Sequence, residues 1–359
     1  MKMFSTPSIL LLAIALGAGA GIIASSLTLN SLYDYSVSIS SAGPIRLAGE
    51  RPQTEPSSYE QAVQEVREKV SSATVEIFSK PSDVTGAYEP GEGQGSGFFI
   101  TSDGWLVAAP YFFSVAEAAQ AKILFNEKIY SVEKVIDDST SAVVFLKIDI
   151  ANAPVVSFGD ALSVEPGDYL FVAAGARELF VSSFFRSVHV GDISEPAETF
   201  SHRFELTMDA ESYFTGAPVA NSSGDVIGIL TSEEFGETHT VLPLLAIKPA
   251  VYSLLKSGEI TTLWFGAMVT DLSRAIGYDE TFTRGYTKGA LLGTITKGGP
   301  AETAGLTRGD IIISVGGQEL SASLSLDELL TDYHSGDVLN LVIDRGGIIS
   351  KVDLTLGSR

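Results

Sequence analysis

The sequence predicts a mostly β protein with two globular domains, preceded by one segment long enough to span a membrane. Three observations support this prediction. Short β-branched and aromatic runs recur between turn residues, the pattern changes after Thr261, and an uncharged apolar run covers Ser8–Leu29. With 359 residues, 45% of them hydrophobic, the chain can fill two packed cores.

The composition excludes several classes of function. The formal charge is −21, from 44 acidic and 23 basic residues, so the surface repels phosphate backbones and we predict no nucleic-acid partner. The absence of cysteine excludes disulfides and thiolate chemistry. The spacing of the four histidines matches no zinc motif, and we predict neither metal nor cofactor. These histidines are His189, His202, His239 and His334.

The apolar N-terminal run predicts a transmembrane anchor at residues 8–29. About 22 residues of helix rise about 33 Å, enough to cross a hydrocarbon core. Lys2 favours a cytoplasmic N-terminus, residues 1–7, and an extracytoplasmic bulk, periplasmic or extracellular. A cleaved signal peptide ending near Ala18–Ala20 is the alternative. The apolar run continues to Leu29, which favours the anchor, and both interpretations place the rest outside the cytoplasm.

A polar linker and a helix are predicted next. Residues 30–56 contain several prolines and no sustained periodicity, as is typical of a tether. The stretch "SSYEQAVQEVREKV" begins with serine caps and spaces Ala62, Val66 and Val70 as in an amphipathic helix.

The first domain is predicted to be antiparallel β structure. About ten strand-like runs, separated by turns such as "SDG", "EPGD" and "SSGD", favour a barrel or sandwich. A helix near Ile247–Ser257 closes this domain.

The second domain is predicted to be smaller. It combines the strand "WFGAMVTDL", a strand with a short helix and turns, the helix "SLDELLTDYHSGD", and a final hairpin.

Four segments of these domains resemble the HtrA-type serine proteases, which join a trypsin-like protease domain to a C-terminal PDZ domain. They are "AVQEVREKVSSATVEI", "GQGSGFFITSDGWLVAAPYFF", "SFGDALSVEPGDYLFVAAG" and "GPAETAGLTRGDIIISVGGQEL". The resemblance implies a trypsin-like double six-stranded β-barrel over residues 57–259 and a PDZ domain over residues 260–357. It also implies a homotrimer, or association with active relatives.

By the same resemblance, none of the three catalytic residues is retained. The histidine of the family falls on Tyr111, the aspartate on Ala142 and the serine nucleophile on Thr215. Tyrosine is a poor base at neutral pH, and an alcohol without an oriented base is a weak nucleophile. Tyr213 replaces a glycine whose N–H would stabilise the oxyanion. Asp137 and Asp138 could replace Ala142 only by a register shift.

The PDZ segment keeps more of its binding residues. PDZ domains add a peptide C-terminus as a strand to a sheet edge and hold its carboxylate with backbone N–H groups. The resemblance implies the following peptide-binding residues, for which simple core packing is the alternative role: Leu263, Trp264, Phe265, Gly266, Ala267, Met268, Leu326, Leu329 and Leu330.

Three functions are therefore weighed. The favoured hypothesis is a membrane-anchored pseudoprotease that binds peptide C-termini or unfolded proteins. The second is an active endopeptidase in envelope protein quality control, with Thr215 or Ser212 as the nucleophile and His239 assisting. The third is a structural scaffold without catalysis.

Overall fold

A computed structural model describes residues 36–37, 45–46, 58–79, 87, 94–109, 115–138, 141, 143–175, 178–207, 214–231 and 239–359. The predicted anchor, Ser8–Leu29, lies outside these residues, as do Tyr111, Ala142, Ser212 and Tyr213. Among the described residues, no helix is both long and apolar enough to cross a membrane. Within the predicted linker, strands β1 (Ser36–Val37) and β2 (Ile45–Arg46) pair antiparallel.

The first described helix confirms the amphipathic pattern. Helix α1 (Tyr59–Lys69) begins after Ser58, whose hydroxyl accepts a hydrogen bond from the backbone N–H of Gln61 at 3.2 Å. Ala62 and Val66 face the core and Val70 follows them there. The helix therefore packs its apolar face onto the barrels, as its spacing predicts.

Six described strands close the first barrel, in the order β3-β4-β5-β8-β7-β6. A short helix, α2 (Val115–Ala118), lies between β5 and β6. The strands are β3 (Thr74–Phe78), β4 (Gln94–Phe99), β5 (Trp105–Ala108), β6 (Lys122–Phe125), β7 (Lys128–Asp138) and β8 (Val143–Ile148).

The second barrel is a ring of six described strands, β14-β10-β11-β13-β16-β15, closed by the pairing of β14 with β15. Strand β9 adds to β15 in parallel. Helix α3 (Lys248–Ser257) follows and ends at Gly258, in the left-handed conformation with φ 73°. The strands are β9 (Ser157–Phe158), β10 (Tyr169–Ala174), β11 (Glu178–His189), β13 (His202–Leu206), β14 (Pro218–Ala220), β15 (Asp225–Thr231) and β16 (Thr240–Pro243).

Strand β12 (Ser194–Pro196) lies between β11 and β13 in the sequence, but it is not part of the second barrel. It pairs antiparallel with β18 (Ala267–Asp271) and forms the edge of the third sheet, ordered β12-β18-β19-β20-β22-β23. The other elements of that domain are β17 (Leu263–Trp264), α4 (Glu280–Thr283), β19 (Ala290–Ile295), α5 (Pro300–Thr303), β20 (Ile311–Val315), β21 (Gln318–Glu319), α6 (Leu326–Leu330), β22 (Val338–Arg345), β23 (Ile348–Thr355) and β24 (Gly357–Ser358).

Two elements of this last domain differ from the sequence-based expectation. The segment "WFGAMVTDL" is not one strand, because Gly266 has φ 85° and turns the chain between β17 and β18. The predicted helix from Ser325 onward is limited to α6, where Ser325 and Glu328 form a capping box. The mostly β class and the double barrel are as predicted.

Candidate functional site

The turn that carries Thr215 lies between the two barrels. The N–H of Ala217 donates to the carbonyl of Phe214 at 2.8 Å, and the N–H of Gly216 donates to Leu230 of β15 at 2.8 Å. The carbonyl of Thr215 accepts from Ser96 of β4, also at 2.8 Å. These bonds hold the backbone of the turn against strands of both barrels.

Gly216 is required by this arrangement. Its φ is 88°, and a Cβ at this position would overlap the carbonyl oxygen of Ser96 and lie 3.2 Å from the backbone nitrogen of Ala109. Ala109 is two residues before Tyr111, and β5, which ends at Ala108, pairs with Val144 of β8. The described strand ends that flank the three triad-equivalent positions therefore approach one another, while Tyr111 and Ala142 themselves lie outside the described residues.

The side chain of Thr215 lies in a closed, apolar setting. Thr215 is 2% exposed, and the neighbouring Phe214 is equally buried and packs edge-on against Phe180, with ring centroids 4.6 Å apart. Within the described part of the chain, Thr215 forms no hydrogen bond with a histidine. The structure therefore shows a buried threonine on a turn that is held by backbone bonds to both barrels, with no hydrogen bond to a described histidine.

Three of the four histidines have other partners, at the junction with the third sheet. His189 stacks on His202 with ring centroids 5.1 Å apart, and the ring of His334 lies 3.7 Å from that of Tyr252. Burial, followed by the positive charges of Arg274 and His202, lowers the pKa of His189.

The two remaining candidates for catalysis are also placed. The backbone carbonyl of His239 accepts a hydrogen bond from Leu206 at 3.1 Å, and its half-buried ring forms no described hydrogen bond with Thr215. Asp138 is buried at the end of β7, where it pairs with Val143 of β8, and Asp137 pairs with Val144.

The predicted peptide-binding residues come together in the third sheet. Leu263, Phe265 and Ala267 share one hydrophobic core cluster with Leu326, Leu329 and Leu330 of α6. Gly266 lies between β17 and β18 in the left-handed conformation. Trp264 and Met268 are half-buried. The loop at Gly266, the edge of β18 and helix α6 therefore lie around one buried core, and the space between β18 and α6 is called the PDZ groove below.

This groove is occupied by the protein's own chain, which the sequence did not predict. β12 pairs with the edge of β18, and Ala197 is fully buried in the same core cluster as Phe265 and Leu326. A carboxylate oxygen of Glu198 accepts a hydrogen bond, at 3.4 Å, from the backbone N–H of Phe265. The segment "DISEPAETF" carries no strand periodicity, and its only sequence signals are a proline and a small residue before an acid.

The carboxyl group of Glu198 is partly removed from water. Burial raises its pKa, whereas its own backbone N–H, that of Phe265 and the charge of Arg359 act in the opposite direction. The next residues join the second barrel to α6. Asp327 accepts from the backbone N–H of Ser201 at 3.0 Å, and Glu328 accepts from His202 Nδ1 at 2.6 Å.

Family comparisons agree with this architecture. Residues 95–229 match the model of the trypsin-like peptidase domain, and residues 293–345 match that of the PDZ domain. The protein thus combines a trypsin-like peptidase domain with a PDZ domain. Its homologues are DegP- and HtrA-type proteases.

Two curated relatives illustrate this kinship. A "probable periplasmic serine endoprotease DegP-like" from Pseudomonas putida is 27% identical over 275 residues, covering 74% of this chain and 56% of the relative. A protein of the same description from Marinomonas sp. is 24% identical over 279 residues, covering 75% and 59%. The chain therefore spans less than two thirds of the length of these relatives.

Solved structures show the same fold. The HtrA-type protease AlgW with a decapeptide superposes with a TM-score of 0.58 at 20% identity, covering 84% of this chain and 99% of the other. AlgW with a tripeptide gives the same TM-score and identity, covering 84% and 97%.

Proposed function

We propose that this protein is a membrane-anchored, extracytoplasmic HtrA-like pseudoprotease whose PDZ domain binds peptide C-termini or exposed strands. The observation that carries the proposal is that a strand of the protein itself lies in the PDZ groove. The edge of β18 pairs with a strand, and the N–H of Phe265 binds a carboxylate at the end of that strand. Strand pairing combined with carboxylate capture is the way in which PDZ domains recognise peptides.

The two sides of the groove have separate roles in this proposal. The backbone of β18 supplies hydrogen bonds that do not depend on peptide sequence, and Gly266 allows the N–H groups of the loop to turn toward a carboxylate. Leu326 and Leu329 of α6 supply the apolar wall that selects side chains. The binding residues are those predicted from the sequence: Leu263, Trp264, Phe265, Gly266, Ala267, Met268, Leu326, Leu329 and Leu330.

The peptidase-like domain is proposed to be inactive. A threonine hydroxyl needs a neighbouring base to lose its proton, and Tyr111 and Ala142 at the triad-equivalent positions supply neither a base nor a residue to orient it. The burial of Thr215 and the positions of the described histidines support this view. An active endopeptidase that uses Thr215 or Ser212 is the second candidate, because the matched relatives are described as serine endoproteases.

The proposal also covers location and assembly. Residues 8–29 have the length and apolarity of an anchor, and the matched relatives are described as periplasmic. We propose an extracytoplasmic site of action, with homotrimers or active relatives as assembly partners.

Three assays on the full-length protein in detergent test the proposal. Casein should remain uncut, with trypsin as the positive control, and a fluorophosphonate probe should not label the protein. Labelling that is lost in Thr215→Ala or Ser212→Ala would support the active endopeptidase instead. In fluorescence anisotropy, a peptide with a free C-terminal carboxylate should bind more tightly than its C-terminal amide. If no peptide binds any variant of the groove, a scaffold role is favoured.

A further inference from the structure

The strand in the PDZ groove runs in the direction of an incoming C-terminal peptide. Ser194 pairs with Thr270 and Pro196 with Met268, so the chain moves along β18 toward the loop that contains Phe265 and Gly266. The N–H of Ala197 then donates to the carbonyl of Ala267 at 3.0 Å. A free peptide that ended at position 197 would place its terminal carboxylate at that loop.

The residues of this strand suit its position. Successive N–H groups of a strand point to opposite sides, so the N–H of Ala197 faces β18 and the nitrogen of Pro196 faces away from it. Proline therefore costs no hydrogen bond there. Ala197 is 0% exposed, and its methyl group occupies the apolar space between the loop and α6.

The chain continues past this point, so a side chain takes the place of the missing terminus. The N–H of Thr199 donates to the carbonyl of Pro196 at 2.9 Å, and this turn takes the backbone out of the groove. The carboxylate of Glu198 returns to the N–H of Phe265. Strand, buried small side chain and carboxylate thus reproduce the three parts of a peptide C-terminus.

We propose that residues 194–198 are an internal ligand of the PDZ domain, and that external C-termini ending in a small apolar residue bind by displacing it. This inference rests on the proposed function, because it assumes that the groove binds peptides. The size of Ala197 sets the preference, since the closed pocket around it would have to expand for a larger terminal side chain.

Displacement also affects the domain junction. Ser201 and His202, a few residues after the internal ligand, bond to Asp327 and Glu328 of α6. A peptide that displaces β12 from β18 therefore disturbs these hydrogen bonds between the second barrel and the PDZ domain. Occupancy of the groove and docking of the two domains are coupled through this segment.

A disulfide tests whether β12 blocks the groove. The bond from Ala197 to Ala267 makes Pro196 and Met268 a non-hydrogen-bonded pair, whose Cα atoms lie about 4.5 Å apart in such ladders, within disulfide range. The chain has no cysteine, so Pro196→Cys/Met268→Cys introduces only one pair. The probe is a labelled peptide Ile-Ser-Glu-Pro-Ala, a copy of residues 193–197 with a free carboxylate. Single Pro196→Cys is the control.

In the full-length double variant, the disulfide should form in air and reduce binding of the probe at least tenfold, and a reductant should restore it. Failure to form the disulfide, or equal binding by oxidised and reduced protein, would overturn the internal ligand and leave the proposed function intact. The disulfide could form while neither the oxidised, the reduced nor the native protein prefers the free-carboxylate peptide to its amide. That result would refute peptide binding by the groove, and with it the proposed displacement of the internal ligand.

A second variant addresses the carboxylate. Glu198→Lys removes the acceptor for Phe265 and places a second cation beside Arg359, so the internal strand is weakened. The probe should bind this variant at least tenfold more tightly than the native chain, whereas Glu165→Lys, a control at an exposed site before β10, should leave its affinity unchanged. Unchanged affinity in Glu198→Lys would contradict the role of Glu198.

Discussion

Nδ1 of His202 lies 2.6 Å from Oε1 of Glu328, and this hydrogen bond joins the second barrel to the helix that borders the PDZ groove. Both side chains are nearly buried. Burial raises the cost of the charge on Glu328, but the bonds from His202 and from the backbone N–H of Ser325 outweigh it and lower the pKa of Glu328. The carboxylate is thus shared between the cap of α6 and the domain junction.

We expect His202→Ala and Glu328→Gln each to destabilise the protein by about 1–3 kcal/mol. Glutamine keeps the capping box of α6, so Glu328→Gln removes the charge and not the cap. Thermal unfolding of both single variants and of the double variant gives the coupling free energy between His202 and Glu328, which should be about 0.5–3 kcal/mol. Lys248→Ala, at an exposed ion pair with Asp332 across the same junction, is the control and should cost less than about 1 kcal/mol. If the losses of the two single variants simply add in the double variant, a direct bond between His202 and Glu328 is contradicted.

The stability of the PDZ domain should fall in acid because of Asp310. This residue is almost fully buried, and two bonds from Arg345 and one from the N–H of Thr307 outweigh burial and lower its pKa. A depressed pKa contributes stability above the unfolded value of about 3.9, which is lost as the pH falls through the folded value. Urea unfolding between pH 3 and 7 should show this slope, and Asp310→Asn should flatten it. Asp353→Asn, at an exposed site, is the control.

Gly216→Ala should be strongly destabilising. It combines a positive φ with overlap between Cβ and the carbonyl of Ser96, and we expect a loss of about 1–3 kcal/mol or more. Gly167→Ala is the matched control, because Gly167 also has a positive φ but nothing within 4 Å of its Cβ position. Urea unfolding should show a larger loss for Gly216→Ala. Equal losses of stability in the two variants would mean that the positive φ causes the whole effect and that the overlap with Ser96 adds nothing.

Thr215→Ser should not create a protease. The substitution removes a methyl group but adds no base, so the serine would stay protonated and unreactive. Casein digestion and fluorophosphonate labelling should both remain at the level of Thr215→Ala. Activity that appears in Thr215→Ser would show that a base is present at the turn.

The internal ligand should hold the groove more tightly in mild acid. Because burial raises the pKa of Glu198 in the docked state, that state binds a proton more readily, and lowering the pH from neutrality through the raised value favours docking. Arg359 acts against this shift, and Asp138 and Asp327 line the same cavity. Affinity for the pentapeptide probe should therefore fall over this range. In Glu198→Gln this pH dependence of the affinity should be lost. If it persists, another titratable group causes it.

The fold could be predicted because its signals are local and repeated. The spacing of Ala62, Val66 and Val70 predicted helix α1, and the turns between β-branched runs predicted the barrels. The break at Gly266 was missed because a glycine between apolar residues is equally compatible with a continuous strand. A Cβ at Gly266 would lie 3.0 Å from Cδ of Pro300, a residue that is distant in the sequence.

The site was predictable only in part, since a motif identifies a groove but not its occupant. Residues of "LWFGAM" and of α6 were expected near a peptide and do lie together. The internal ligand was missed because pairing between Glu195 and Val269 spans a long stretch of chain and leaves no periodic pattern. A proline, an alanine and a glutamate in a loop are ordinary turn residues until their partner is known.

The contribution of β12 to the PDZ sheet affects how this protein can be dissected. A fragment cut at the boundary predicted from sequence, residue 260, would lack the strand that covers β18. Its uncovered edge would be available to any extended chain, including another copy of the fragment. Affinities measured on such a fragment would exceed those of the intact molecule, and self-association could be mistaken for physiological assembly.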